Sequence, residues 1–284
     1  MNPKDFTDLK KYKIINKLGE GSFGTVYKVQ DIETQKIYAA KVSSKVITRR
    51  AKATDEILHL FREVKIMSAL NHPSIIQYVG YNPKDFDKKT KPTIIFEYAI
   101  NGTLKSIIEF KNTEKSTDKW DDTKKLICIY GIASGMAYLH ENNIIHRDLK
   151  TENILMDDFL CPKISDFGLS KVNDAISKSL RINSISAFKG TPAYCSPEGF
   201  EDNQFTKAGD VYSFAMIVYE VMSGLGSFQG KNLDLISLVS KITNGERPKL
   251  TSDIPDAYQK LIEKCWLHNP LERPTFEEIV FVLK

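Results

Sequence analysis

An Asn-Gly pair at 101–102 divides this chain of 284 residues into two stretches with different hydrophobic periods. Before it, KYKIINKL (11–18), TVYKVQDI (25–32), KIYAAKV (36–42), IIQYVGY (75–81) and TIIFEY (93–98) are rich in β-branched and aromatic residues. Turn formers separate them, so they are predicted strands. The lysine-rich NPKDFDKKTKP between the last two is predicted to be an exposed hairpin loop. One helical run interrupts the series, with Ile57, Leu60, Phe61, Val64 and Met67 at steps of three and four. NHP at 71–73 ends it, because the residue before a proline resists helical backbone. After the pair, helical periodicity dominates in TLKSIIEF, KKLICIYGIASGMAYLHENN, DVYSFAMIVYEVM, LDLISLVSKI, AYQKLIEKCW and FEEIVFVL. Strands segregated from helices argue an α+β fold rather than a doubly wound sheet. The expected lobes are a small antiparallel β-sheet lobe with one helix, residues 1–98, and a larger, mainly α-helical lobe, residues 99–284.

The composition excludes several classes. With 42% hydrophobic and 27% charged residues, the chain reads as soluble and globular. A net charge of +4, from 40 basic and 36 acidic residues, makes no case for nucleic acid or a membrane surface. MNPKDFTDLKK lacks the apolar core of a signal peptide, and no apolar run approaches the length of a membrane span. Cys128, Cys161, Cys195 and Cys265 form no CxxC pair and no metal spacing. Reduced thiols in the cytoplasm, with nuclear access open, are the expectation.

Three stretches carry chemistry. LGEGSFGTV (18–26) holds Gly19, Gly21 and Gly24 in a GxGxxG pattern. A dinucleotide fold requires a helix after the last glycine, whereas TVYKVQDI continues as a strand. The glycines therefore tip a β-hairpin, where backbone N–H groups can approach phosphate oxygens. A plain flexible hairpin would carry the same residues. Lys41 follows Tyr38-Ala39-Ala40 in a strand that reads as buried, so it calls for an anionic partner. A lysine snorkelling from an edge strand is the alternative. Glu56 and Glu63 lie seven apart, on roughly one face of the single early helix, and periodicity does not choose between them. Finally, IIHRDLKTEN (144–153) crowds His146, Arg147, Asp148, Lys150 and Glu152 behind an apolar pair.

With SDFG at 165–168 and SPE at 196–198, these pieces resemble the eukaryotic protein kinase signature set, from about Tyr12 to the C-terminus. The resemblance implies a two-lobed protein-kinase-like fold and a protein kinase domain over 1–284. It implies ATP and Mg²⁺ as cofactors and protein substrates as partners. Glu63, four before Met67, takes the place of the glutamate that pairs with the strand lysine. Lys41 would then hold the α- and β-phosphates. Asp148 would accept or orient the substrate hydroxyl, and Lys150 would sit by the γ-phosphate. Asn153 and Asp166 would ligate Mg²⁺. Leu18, Val26, Ala39 and Leu155 would sandwich the adenine, with backbone groups of Glu97 and Ala99 on its edge, in the connector FEYA. His146 would be a packed structural residue, and Glu152 solvent-facing.

Lysine two residues after the aspartate, and Thr191 in KGTPAYCSPE, resemble serine/threonine kinases. DVYSFAMIVYEVMSG, GERP and KCW resemble the tyrosine-kinase-like group, which leaves dual specificity open. A pseudokinase scaffold would lack Lys41, Asp148, Asn153 or Asp166, and all four are present. The stretch 166–198 would be an activation segment, with Ser184 or Ser186 phosphorylated by an upstream kinase or by the chain itself, and ordered through Arg147 and Lys189. Ser196 stands where the family has alanine, a neutral change on this reading, and Glu198 is expected to pair with Arg273.

Overall fold

The computed structural model describes residues 6–21, 24–44, 64–111, 120–167, 171–172, 191–201, 205–228 and 234–284. They form two compact units, Met1–Ile100 and Asn101–Lys284.

In the first unit, β1 (Tyr12–Gly21), β2 (Gly24–Asp31), β3 (Ile37–Ser43), β4 (Tyr78–Asn82) and β5 (Thr93–Glu97) make one antiparallel sheet. Its spatial order is β1-β2-β3-β5-β4. The Asp31 carboxylate builds the β2–β3 turn by accepting the Glu33 and Thr34 N–H groups at 3.0 and 2.8 Å. Asp85 does the same for the exposed β4–β5 loop, through the N–H groups of Asp87 and Lys89. Partners directly opposite in a ladder share a face, so the register sorts the side chains. Tyr27, Val29, Tyr38, Ala40 and Ile95 lie on one face, where Val29, Ala40 and Ile95 pack with Leu9, and Tyr12, Tyr27, Tyr38 and Phe86 cover them. Val26, Ala39, Lys41, Ile94 and Phe96 lie on the other. The predicted strand over 75–81 joins the sheet only at Tyr78, because Ile75 and Ile76 are buried side by side rather than in alternation. The helix read over 57–67 is described over 64–69, and Glu56 and Glu63 lie outside the described residues.

The second unit contains α1 (Leu104–Lys111), α2 (Asp122–Glu141), α3 (Pro197–Glu201), α4 (Lys207–Ser223), α5 (Leu235–Thr243), α6 (Asp256–Cys265) and α7 (Phe276–Leu283). Caps explain several of their boundaries. Asp121 accepts the Lys124 N–H, and Thr206 the Gly209 N–H. Thr275 and Glu278 form a reciprocal capping box. Gly224, at φ 71°, closes α4 in the left-handed conformation. From Asp210 to Val221 every residue of α4 is buried, which makes it the central helix of the unit. Four short strands also occur: β6 (Ile144–Ile145) pairs with β9 (Lys171–Val172), and β7 (Ile154–Met156) with β8 (Pro162–Ile164). Among the described residues, no helix is long and apolar enough to cross a membrane.

Candidate active site

The loop from His146 to Asn153 runs between β6 and β7, and α4 fixes its start. Asp210 accepts the backbone N–H groups of His146 and Arg147, each at 2.9 Å, and His140 Nε2 lies 2.9 Å away. One buried carboxylate thus holds two consecutive peptide units. Arg147 adopts φ 71°, a conformation that costs energy in a residue with a Cβ and persists where its surroundings hold it. The His146 ring is buried, with Nδ1 3.4 Å from the Asp148 N–H and Nε2 3.1 Å from the Ser165 carbonyl. An accepting Nδ1 and a donating Nε2 describe one neutral tautomer, and the ring packs against Phe167.

Four polar side chains converge beyond it. Asp148 Oδ2 receives the Asn153 amide and the Lys150 ammonium, each at 3.0 Å. Its Oδ1 is contacted more loosely, by the Thr191 hydroxyl at 3.2 Å. Lys150 also donates to Thr191 Oγ1 at 2.7 Å, so this hydroxyl bridges ammonium and carboxylate. Asn153 commits its NH₂ to Asp148, through the side chain and the main-chain carbonyl at 2.7 Å. Its amide oxygen is therefore the group it can offer to a cation. The β7–β8 register sets Ile154 opposite Ile164, and Ser165 donates twice to the Asn153 carbonyl, at 2.9 Å each. Asp166 follows directly, with φ 61°.

Among the described residues, no three His, Cys, Asp or Glu side chains form a metal cluster. A Mg²⁺ ion bound with phosphates requires only one or two carboxylates, with phosphate oxygens and waters completing its shell. The amide oxygen of Asn153 and the carboxylate of Asp166 fit that donor set by chemistry and by chain placement.

The first unit presents Val26, Ala39 and Lys41 on one sheet face, on adjacent strands. Lys41 stands on β3, in the middle of the sheet, which removes the edge-strand reading. Gly21 pairs with Gly24 at the hairpin tip. Gly24 has φ 146°, and a Cβ there would meet the Val42 carbonyl oxygen at 2.1 Å. Gly19 and Gly21 have nothing within 4 Å of a Cβ position. Leu18 is exposed, and Leu155 and Ala99 are half-buried. The Glu97 N–H bonds the Gln77 carbonyl at 3.0 Å, so only its carbonyl can serve a base.

One reading changes. Glu152 is not solvent-facing: it pairs with Lys105 of α1 at 2.8 Å, which ties the loop to that helix. Ser196 is buried beside Glu198. Burial pushes the Glu198 carboxyl up, but the Arg273 hydrogen bond and charge outweigh it, with Ser196 helping, and the net position lies below the usual range. The expected Glu198–Arg273 pair forms as a two-pronged contact at 2.7 and 2.9 Å. Thr151, Tyr194 and Glu220, which sequence reasoning did not single out, form a buried cluster behind the loop. Ser184, Ser186 and Lys189 lie outside the described residues.

A central-lysine sheet with a glycine hairpin, and a helical unit whose loop presents carboxylate, ammonium and amide together, define the architecture of a phosphotransferase domain. The chain belongs to the protein kinase domain family, whose model matches residues 12–281. It is similar to two proteins of Dictyostelium discoideum, each described as a "probable serine/threonine-protein kinase". One is 32% identical over 94% of this chain and 19% of its own length. The other is 34% identical over 98% of this chain and 28% of its own. Serine/threonine-protein kinase CTR1 of Arabidopsis thaliana is 31% identical over 95% of this chain and 31% of its own. The chain thus spans less than a third of each of these relatives.

Proposed function

We propose that the chain is a serine/threonine protein kinase, transferring the γ-phosphoryl group of Mg-ATP to hydroxyls of protein substrates in intracellular signalling. The observation that carries this reading is the Thr191 hydroxyl bridging Lys150 and Asp148. It gives the loop a carboxylate and an ammonium at fixed spacing, and the resemblance of Lys150 and Thr191 to serine/threonine kinases favours an aliphatic hydroxyl as nucleophile. Oδ2 of Asp148 is held twice, and Oδ1 only loosely. Oδ1 is therefore the oxygen that orients the substrate hydroxyl and accepts its proton. Lys150 neutralises charge on the transferring group. Asn153 and Asp166 would hold Mg²⁺, which supplies further charge neutralisation at the phosphates.

Lys41 takes the α- and β-phosphates, and Glu63, outside the described residues, would be its partner. Leu18, Val26, Ala39 and Leu155 contact the adenine, with backbone groups of Glu97 and Ala99 at its edge. Packing does not demand glycine at Gly19 or Gly21, which supports their role as places of close phosphate approach. Four free thiols support a reducing compartment, the cytoplasm or nucleus. Modification at Ser184 or Ser186 remains part of the proposal, as the switch of the activation segment.

The test is incubation with γ-labelled Mg-ATP and generic protein substrates, beside Asp148→Asn, followed by identification of the phosphorylated amino acid. Wild type should label serine or threonine, and the variant should be slower by about 10²–10⁴-fold. Equal labelling by both refutes the mechanism, and phosphotyrosine alone refutes the substrate class.

A further inference from the structure

We propose that Thr151 is a positioning residue for phosphoryl transfer, an inference that rests on the kinase reading above. Its hydroxyl fastens the loop bearing Asp148 and Lys150 to the turn bearing Thr191. Thr151 lies between Lys150 and Asn153, opens the short 3-10 turn Thr151–Asn153, and is fully buried. Its Oγ1 is 2.8 Å from the Tyr194 hydroxyl and 3.0 Å from Glu220 Oε2. Tyr194 donates to the same carboxylate oxygen at 2.7 Å. The other oxygen, Oε1, receives the N–H and the hydroxyl of Ser227 at 2.9 and 2.8 Å. Burial, with the Glu220 charge beside it, pushes the Tyr194 hydroxyl far up, so it stays protonated as a donor.

The cluster acts on the site through Tyr194. The Tyr194 N–H donates to the Thr191 carbonyl at 3.0 Å, and Ser213 of α4 donates to the Tyr194 carbonyl at 2.8 Å. Tyr194 is thereby fixed at its main chain and at its ring tip. Three residues earlier, Thr191 meets Lys150 and Asp148. One carboxylate on the central helix therefore sets the distance between two segments that must meet within a fraction of an ångström. Catalytic groups displaced by about 1 Å lose about 10²-fold in rate. Thr151→Val removes the hydroxyl at nearly constant volume. Glu220 then still receives Tyr194 and Ser227, so no buried charge is left bare and the chain retains its fold.

The experiment measures kcat and KM for ATP, on a protein substrate that wild type phosphorylates, for Thr151→Val, Thr151→Ser, Tyr194→Phe and the Val/Phe double variant. Thr151→Val should lower kcat about 10- to 100-fold with the KM for ATP within about twofold of wild type. Thr151→Ser should restore kcat to within about threefold, because it returns the hydroxyl. The double variant should be little worse than the worse single, as expected of groups acting as a unit. Wild-type kcat in the Val variant overturns the inference, as does equal impairment of Val and Ser, or a raised KM with kcat intact. If Thr151→Val does not fold, Tyr194→Phe decides: a lowered kcat supports the inference and a wild-type kcat overturns it. A wild type that transfers nothing overturns the kinase reading and this inference together.

Discussion

Replacing Arg273 with alanine tests how the second unit is held together. The Arg273 side chain is 0% exposed and its partner Glu198 10%. The guanidinium donates to both carboxylate oxygens of Glu198 and to the carbonyls of Leu267, Ala208 and His268, at 2.7–3.0 Å throughout. It also stacks over Tyr212 at 5.2 Å. Alanine strips all of these partners at once. Removing one member of a buried ion pair costs about 3–5 kcal/mol, and the three bereaved carbonyls place this case at the upper end. At about 2–4 °C per kcal/mol, the expected fall in thermal midpoint is about 10–20 °C. Glu198→Gln keeps the shape, still accepts one N–H, and leaves the three carbonyls on the guanidinium. It should cost less, about 1–3 kcal/mol. Both tryptophans, Trp120 and Trp266, are buried in the second unit, so their fluorescence during heating or urea unfolding reports it. The lowered Glu198 carboxyl adds a pH signature. Its stabilisation is whole above the ordinary carboxylate pKa of about 4 and is lost as pH falls through the lowered folded value, and Arg273→Ala removes that acid dependence. A loss below about 1 kcal/mol for Arg273→Ala, or a larger loss for Glu198→Gln, refutes the reasoning.

Gly24→Ala places a Cβ 2.1 Å from the Val42 carbonyl oxygen at φ 146°, so it should cost about 1–3 kcal/mol and weaken β2–β3 pairing. Gly19→Ala meets no atom within 4 Å and should cost less. Hydrogen exchange at the β2 and β3 amides separates the two, and equal protection in both variants argues against the clash. Native thiol labelling at neutral pH should single out Cys161. Burial raises the Cys128 and Cys195 thiols far up and that of Cys265 to about 12. Cys161 and Cys195 are both partly exposed, and the Cys161 thiol is raised less than that of Cys195. Rapid labelling of all four contradicts this.

The fold was legible where a side-chain period had room to repeat. The seventeen residues of α4 and the twenty of α2 span several turns, and their caps, Thr206 and Asp121, are sequence signals in their own right. Strands β6 and β9 have two residues each, and β7 and β8 three, too few for alternation to show. They matter all the same, because the β7–β8 pairing brings Asn153 against Ser165, the residue before Asp166. Ile75-Ile76 misled in the opposite sense. A β-branched pair resembles a strand, but two consecutive buried residues do not alternate, and the chain there belongs to the approach to β4.

The residues proposed to do chemistry were legible because proton and phosphoryl transfer demand particular side chains, and HRDLKTEN crowds them into eight positions. The side chains that hold them were not. Thr151 and Glu220 lie 69 positions apart, and a threonine, a tyrosine and a buried glutamate carry no spacing that links them. One signal did exist. Glu220 interrupts FAMIVYEVM, an otherwise apolar helix run, and the structure buries that helix from Asp210 to Val221. A carboxylate there must find donors or lose its charge; Ser227 serves its Oε1, and the donors on Oε2 come from the two segments that carry Asp148 and Thr191. An acid inside an otherwise apolar central helix is thus a pointer from sequence alone to a site's support.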